Sequence, residues 1–262
     1  MSNERQKKAE LLARDKDEAM LGRRLIDLDV MCAKRHCTMF TGFLSEAEQA
    51  YCEMLFHMLD SKVKFMGGYD NAQRCVAVLF YDEEAYEEPL EQYPFEALRI
   101  DHPQKVSHRD ILGSILGLGI ERTTVGDILV WDDRSYVFVT KEMAGYISQS
   151  LVKVGRQNVS VSAVDIDEVE IPEVKTEEIN ATVASLRLDS VIAEGFRLSR
   201  DDAKTAVQRG LVSVNHRIVE SASHGVKEKD VISLRGKGKI VIDTVGEQSR
   251  KGRTWISFLR YI

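Results

Sequence analysis

The chain has 262 residues and 44% hydrophobic content, enough for two or three domains with ordinary cores. No apolar run approaches the roughly 18–20 residues that span a bilayer; the start, Met1-Ser2-Asn3-Glu4-Arg5-Gln6-Lys7-Lys8, lacks a secretion signal's apolar segment, and four cysteines without framework spacing suit a reducing interior, so a cytoplasmic protein is expected. The net charge of −6 is split: residues 181–262 carry 15 Lys and Arg against 9 Asp and Glu, a balance of +6 that leaves −12 in residues 1–180 and points to one polyanion-binding end.

Residues 1–61 read as a helical N-terminal region. Leu11, Leu12, Met20, Leu21, Leu25, Ile26 and Leu28 recur among charges, and Ser45-Glu46-Ala47-Glu48 is a capping box opening a helix through Tyr51, Leu55, Met58 and Leu59. Cys32, Cys37, Cys52 and His57 do not have zinc-ligand spacing, and buried structural thiols are the better expectation.

Residues 62–165 read as a central α+β domain. Val63–Met66 and Arg74–Tyr81 are strands around the turn Gly67-Gly68-Tyr69-Asp70-Asn71, and Phe95–Ile100 alternates like a third. Ser107 caps a helix from His108 to Leu118, closed by Gly119. Ile128–Trp131 and Tyr136–Val139 form a hairpin, Thr140 caps a helix from Lys141 to about Val154, and Val159–Val164 closes the set. Two helices interleaved with strands is the composition of a split β-α-β sheet with its helices on one face. Residues 166–180 are acidic, contain Pro172 and read as a linker or an edge segment.

Residues 181–262 hold the motif on which the functional reading rests. Arg187-Leu188-Asp189 opens a helix with Val191 and Ile192, and Gly195–Leu198 is a loop. Ser199-Arg200-Asp201-Asp202 is a second helix start, followed by the stripe Ala203, Ala206, Val207 and Gly210. Val212–Val219 reads as a hairpin turning at Asn215-His216, and Asp230–Leu234 is a further strand. Arg235-Gly236-Lys237-Gly238-Lys239 is a basic turn. Ile240–Val245 and Thr254–Tyr261 are the last strands, with Ser249-Arg250-Lys251-Gly252-Arg253 between them. Placed beside Arg235, Lys237 and Lys239, that second basic turn is expected to share a phosphate-facing edge.

The order RLD, SR..AK...V..G.V.VN...V, then D.IS.RG.G resembles the S4 RNA-binding module, a helix–loop–helix on a small twisted sheet. Upstream, Gly67-Gly68-Tyr69, His108-Arg109-Asp110-Ile111-Leu112-Gly113, Gly117-Leu118-Gly119-Ile120 and Val125-Gly126-Asp127-Ile128 are similar to segments of the three-part bacterial S4 protein family encoded in cell-division gene clusters. The resemblance implies an RNA-recognition-like middle sheet, although stacking aromatics are not obvious there: Phe80, Tyr81, Tyr136 and Phe138 can be core. Through the S4 module it also implies kinship with small proteins that bind a stalled large ribosomal subunit carrying peptidyl-tRNA. Arg187 and Arg200 then grip RNA, Lys204, Arg209 and Arg217 support them, and Asp189 orients a neighbouring arginine or backbone.

The chain lacks a Walker loop, a dinucleotide glycine fingerprint, a nucleophile elbow and a paired-histidine metal motif, so neither catalysis nor a cofactor is expected. Asp101, His102 and His108 are not placed by their spacing within reach of one another. An S4-armed uridine-modifying enzyme is a rival reading, but such enzymes carry the catalytic domain after the S4 module. The other rival is a division-linked adaptor whose RNA binding is incidental. The expected partners are rRNA, tRNA and the large subunit, with division proteins as the alternative, and the expected state is a monomer.

Overall fold

The structure is a computed structural model describing residues 2–87, 93–173, 175–248 and 252–261. The chain opens with α1 (Ser2–Leu12) and α2 (Lys16–Arg35). Asp15 caps α2 by accepting Glu18 N–H at 2.8 Å, and His36 ends it in the left-handed region at φ 49°. The next residues form a strand, β1 (Met39–Leu44), which interrupts the helical N-terminal region. Once His36 has broken the helix, Thr38 to Phe43 supply the β-branched and aromatic side chains that suit a pleated surface.

Ser45 and Glu48 form the expected capping box of α3 (Glu46–Met58). β2 (Val63–Met66) and β3 (Cys75–Leu79) follow, and the three strands make an antiparallel sheet ordered β1-β3-β2. The boundary expected at 61/62 therefore runs through a sheet, because β1 before it pairs with β3 after it. Cys32, Cys52 and Cys75 are buried, and burial pushes their thiols up to about 11, 12 and 11.

After the short α4 (Glu83–Glu87) come β4 (Phe95–Asp101), α5 (His108–Leu116), β5 (Val125–Val130), β6 (Arg134–Thr140), α6 (Lys141–Ser150), β7 (Lys153–Val154), β8 (Gln157–Asn158) and β9 (Ser160–Val164). Both helices are shorter than expected. α5 ends at the Gly117 cap, and α6 ends at Ser150, beyond which β7 and β8 make a small hairpin. The antiparallel sheet is ordered β5-β6-β4-β9, the split β-α-β arrangement. Ile111 and Ile115 of α5 and Ala144 and Ile147 of α6 cover one face through Leu98, Ile100, Val137 and Val139.

The opposite face, carrying Phe95, Ala97, Tyr136 and Phe138, is buried against Phe43 of β1 and Val76 of β3. Arg74 and Asp127 fasten this seam. Asp127 accepts Tyr69 O–H and Gln73 N–H, each at 2.7 Å, and Arg74 N–H at 3.1 Å. The Arg74 guanidinium donates to Val125 O at 2.9 Å and Phe43 O at 2.7 Å. Gly68, at φ +92°, lies where a Cβ would stand 2.4 Å from Phe138 Cε1, so no other residue fits without moving that ring. The Gly67-Gly68-Tyr69 and Val125-Gly126-Asp127 segments thus meet in a packed joint.

Contacts divide the chain into units Met1–Pro172 and Glu173–Ile262. The second begins with β10 (Thr176–Val183), so of the two readings of residues 166–180, linker or edge segment, the edge holds from Thr176, where the strand pairs with the last strand along its full length. Then come α7 (Leu188–Gly195), α8 (Arg200–Gln208), β11 (Val212–Val214), β12 (Arg217–Ile218), β13 (Val231–Leu234), β14 (Gly238–Gln248) and β15 (Thr254–Tyr261), in a sheet ordered β10-β15-β14-β13-β11-β12. Leu188, Val191, Ile192, Ala203 and Val207 of the two helices pack on Val212, Ile232, Ile240, Ile242, Ile256 and Phe258.

Candidate nucleic-acid interface

The interface grows from the two helix starts of the second unit. Arg187 occupies the N-cap of α7 with extended backbone, and its side chain forks onto Asp189, Nε to Oδ1 and Nη2 to Oδ2, each at 3.2 Å. Burial alone would raise the Asp189 carboxyl. The Arg187 hydrogen bonds and charge, Ser190 N–H and the charge of Arg200 outweigh it and hold the group below its ordinary value. Ser199 caps α8 by accepting Asp202 N–H at 3.1 Å, leaving Arg200 as the first helical residue. Arg200 Nη2 donates to Ser190 Oγ at 2.9 Å, so Arg187, Asp189, Ser190 and Arg200 form one connected chain. Ser190 is the link that sequence reasoning missed: a serine inside an apolar helical run carries no signal of a bridging role.

Arg200 and Ser190 line a cleft of about 220 Å³ with Val183, Ala193, Leu198 and Arg253. Arg253 Nε donates to Thr182 Oγ1 at 2.9 Å, and Nη2 donates to Thr182 O and lies 3.5 Å from Glu194. Lys204 is exposed one turn beyond Arg200 on α8, and Arg209 is exposed at the helix's C-cap. Arg235 N–H donates to Leu211 O at 2.9 Å, which holds the exposed pair Arg235 and Lys237 beside the C-terminal end of α8. Lys239 is half-buried, with Nζ 4.6 Å above the Tyr261 ring. Arg217 is half-buried on β12, and Arg250 and Lys251 lie outside the described residues.

One expectation is overturned. Arg253 and the turn Arg235–Lys239 stand at opposite ends of β14, whose eleven residues separate them by about 35 Å. Arg253 belongs with Arg200, while Arg235, Lys237 and Lys239 belong with Arg209. Two positions of the motif serve structure. Asn215 and His216, at φ 47° and 64°, make the tight turn between β11 and β12. Asn215 Nδ2 donates to Asp230 Oδ1 and its Oδ1 accepts Val231 N–H, both at 2.9 Å, which ties the turn to β13. In the first unit, His102 bonds Gln104 O at 3.0 Å and Ser135 Oγ at 2.9 Å, and Asp101 accepts from Arg99. Among the described residues no helix is long and apolar enough to cross a membrane.

A helix–loop–helix on a twisted antiparallel sheet, with arginines at both helix starts, is the architecture of an S4-type RNA-binding protein. Residues 186–232 match the S4 domain, and residues 89–168 match the family described as a putative RNA-binding domain in YlmH. The chain is 34% identical over 221 residues to the ribosome-associated protein quality control protein P2 of Bacillus subtilis, covering 84% of this chain and 86% of that one. It belongs to that protein's family.

A small ribosomal subunit protein uS4 of Frankia casuarinae is 32% identical over 91 residues, 32% of this chain and 44% of that protein. A solved structure, the cell division protein ylmH from Streptococcus pneumoniae, superposes with a TM-score of 0.51 at 18% identity, over 60% of this chain and 98% of that one, and shows a shared fold. In the central sheet Phe95, Tyr136 and Phe138, on the face free of helices, are all buried, so those rings are closed to bases.

Proposed function

We propose that the protein binds rRNA and peptidyl-tRNA on stalled large ribosomal subunits and steadies the tRNA during ribosome-associated quality control. The ribosome-associated quality control for which the Bacillus subtilis relative is named, a protein similar along most of the chain, supports this reading. The observation that carries it is the placement of Arg200. The residue sits in the first turn of α8, where backbone N–H groups favour a phosphate, and its guanidinium is held against Ser190 beside an open cleft. Lys204 is exposed one turn along the same side of α8, and Arg209, Arg235 and Lys237 are exposed at the other end of the helix.

In this reading the protein is a cytoplasmic binding protein that acts without catalysis or cofactor. The test is co-sedimentation of the full-length protein with large subunits that carry or lack peptidyl-tRNA, followed by crosslinking and mapping of the RNA. Retention strengthened by the tRNA, with crosslinks from the Arg200 side of α8, is expected. Capture of division proteins without subunits would sink the reading, and a modified nucleoside after long incubation would favour an enzyme.

A further inference from the structure

We propose that Trp255 is a stacking platform for an unpaired RNA base, joined through Arg253 to the cleft that holds Arg200. The inference rests on the RNA-binding reading above and adds a residue that contacts bases. Trp255 is the second residue of β15 and is 40% exposed; among the described residues of the second unit, only Ile218 is another exposed large hydrophobic. The neighbouring Ile256 and Phe258 are fully buried in the core, while Trp255 belongs to no apolar cluster.

On one flank the indole packs over Gly246 of β14, where an added Cβ would stand 2.8 Å from the ring's Cε3. The missing side chain gives the ring a backbone bed. On the other flank Trp255 is in register with Thr182 of β10, and Thr182 accepts the hydrogen bonds of Arg253. Arg253 in turn lines the same cleft as Arg200 and Ser190. Arg253 therefore links the indole, on the sheet face away from the helices, to the cationic cleft on the helix side, an aromatic surface joined to groups suited to phosphate. Stacking on such a surface is tolerant of base identity, because every base has a π-face. Paired bases inside a duplex cannot reach it, so the ligand is an unpaired nucleotide flanking the structured RNA gripped by α8.

The chain has two tryptophans, so full-length protein carrying Trp131→Phe reports Trp255 alone by fluorescence. The probes are an RNA hairpin with an unpaired loop and a blunt duplex of the same stem. The hairpin should quench the emission and the duplex should not. Trp255→Ala should lose roughly tenfold in affinity for the hairpin with duplex affinity unchanged, and Trp255→Phe should recover most of it. Unquenched emission with hairpin bound, or equal losses on both RNAs, would overturn the platform. If Arg200→Ala weakens both RNAs while Trp255→Ala weakens neither, the platform fails and the RNA-binding reading stands. If the unaltered protein binds neither RNA, both fail.

Discussion

Arg200 and Arg187 carry the same charge in different settings, and the difference predicts their mutants. Arg187 spends its fork on Asp189, whereas Arg200 is anchored through Nη2 to Ser190, leaving other donors of its guanidinium to face the cleft. Arg200→Ala should weaken binding to large subunits by roughly 1–3 kcal/mol, the scale of a charge-assisted contact, without changing the melting temperature. Arg200→Lys should recover part of that, since an ammonium cannot bond Ser190 and grip two phosphate oxygens in one plane. Affinity measured alongside melting curves checks both.

Asp189→Asn acts on the fold instead. The buried carboxylate loses its charge while Arg187, 46% exposed, is screened by water, so the expected cost is about 1 kcal/mol. Because the folded carboxyl is held below its ordinary value, its contribution is present above about pH 4, the unfolded carboxyl's value. It is lost as pH falls through the lower folded value. Urea unfolding of wild type and variant should therefore converge as the pH falls; a gap that stays the same from neutral pH into acid would contradict this account.

At the scale of elements, α8 is a track about 13 Å long with a cation cluster at each end. Lys237→Ala, on a glycine-flanked turn at the far end, should cost less than Arg200→Ala and lower the salt slope of binding by about 0.7–0.9. A salt series on both variants tests this, and equal small losses would mean the track binds as a diffuse cation. Asn215→Ala should destabilise the second unit by about 1–3 kcal/mol, read by thermal unfolding, because it leaves buried Asp230 short of a donor.

Much of this scale was legible from residues alone. Ser45, Ser107 and Ser199 marked helix starts by their side-chain chemistry, and the period of two marked the hairpin of β11 and β12. β1 was not legible, because six residues with two aromatics fit a helix as well as a strand when they follow a long helix. β10 was hidden by composition: its outward positions are polar or acidic, and only pairing with β15 gives Ile179, Ala181 and Val183 a core to face. The pairing of Arg253 with Arg200 was illegible for a different reason. Which turns share an end of a sheet depends on strand length and topology, neither of which the basic residues report.

For the whole molecule, charge and packing assign different work to the two units. A fragment of residues 173–262 should fold and bind structured RNA. One beginning at 184 should be less stable, since it lacks β10 and strips the pairing from one side of β15. A fragment of residues 1–172, with its acidic excess, should not bind RNA by charge. Circular dichroism and gel shifts on the three fragments check these expectations, and RNA retention mainly by 1–172 would contradict the division.

The buried seam between β1, β3 and the central sheet also decides how the protein can be taken apart. A fragment trimmed to residues 89–168 would lose Phe43 and Val76 and uncover Phe95, Tyr136 and Phe138 together. It would present water with an aromatic floor that the intact chain keeps shut. Such a fragment would be sticky, and any nucleic acid it captured would report an artefact of the scissors rather than a habit of the protein.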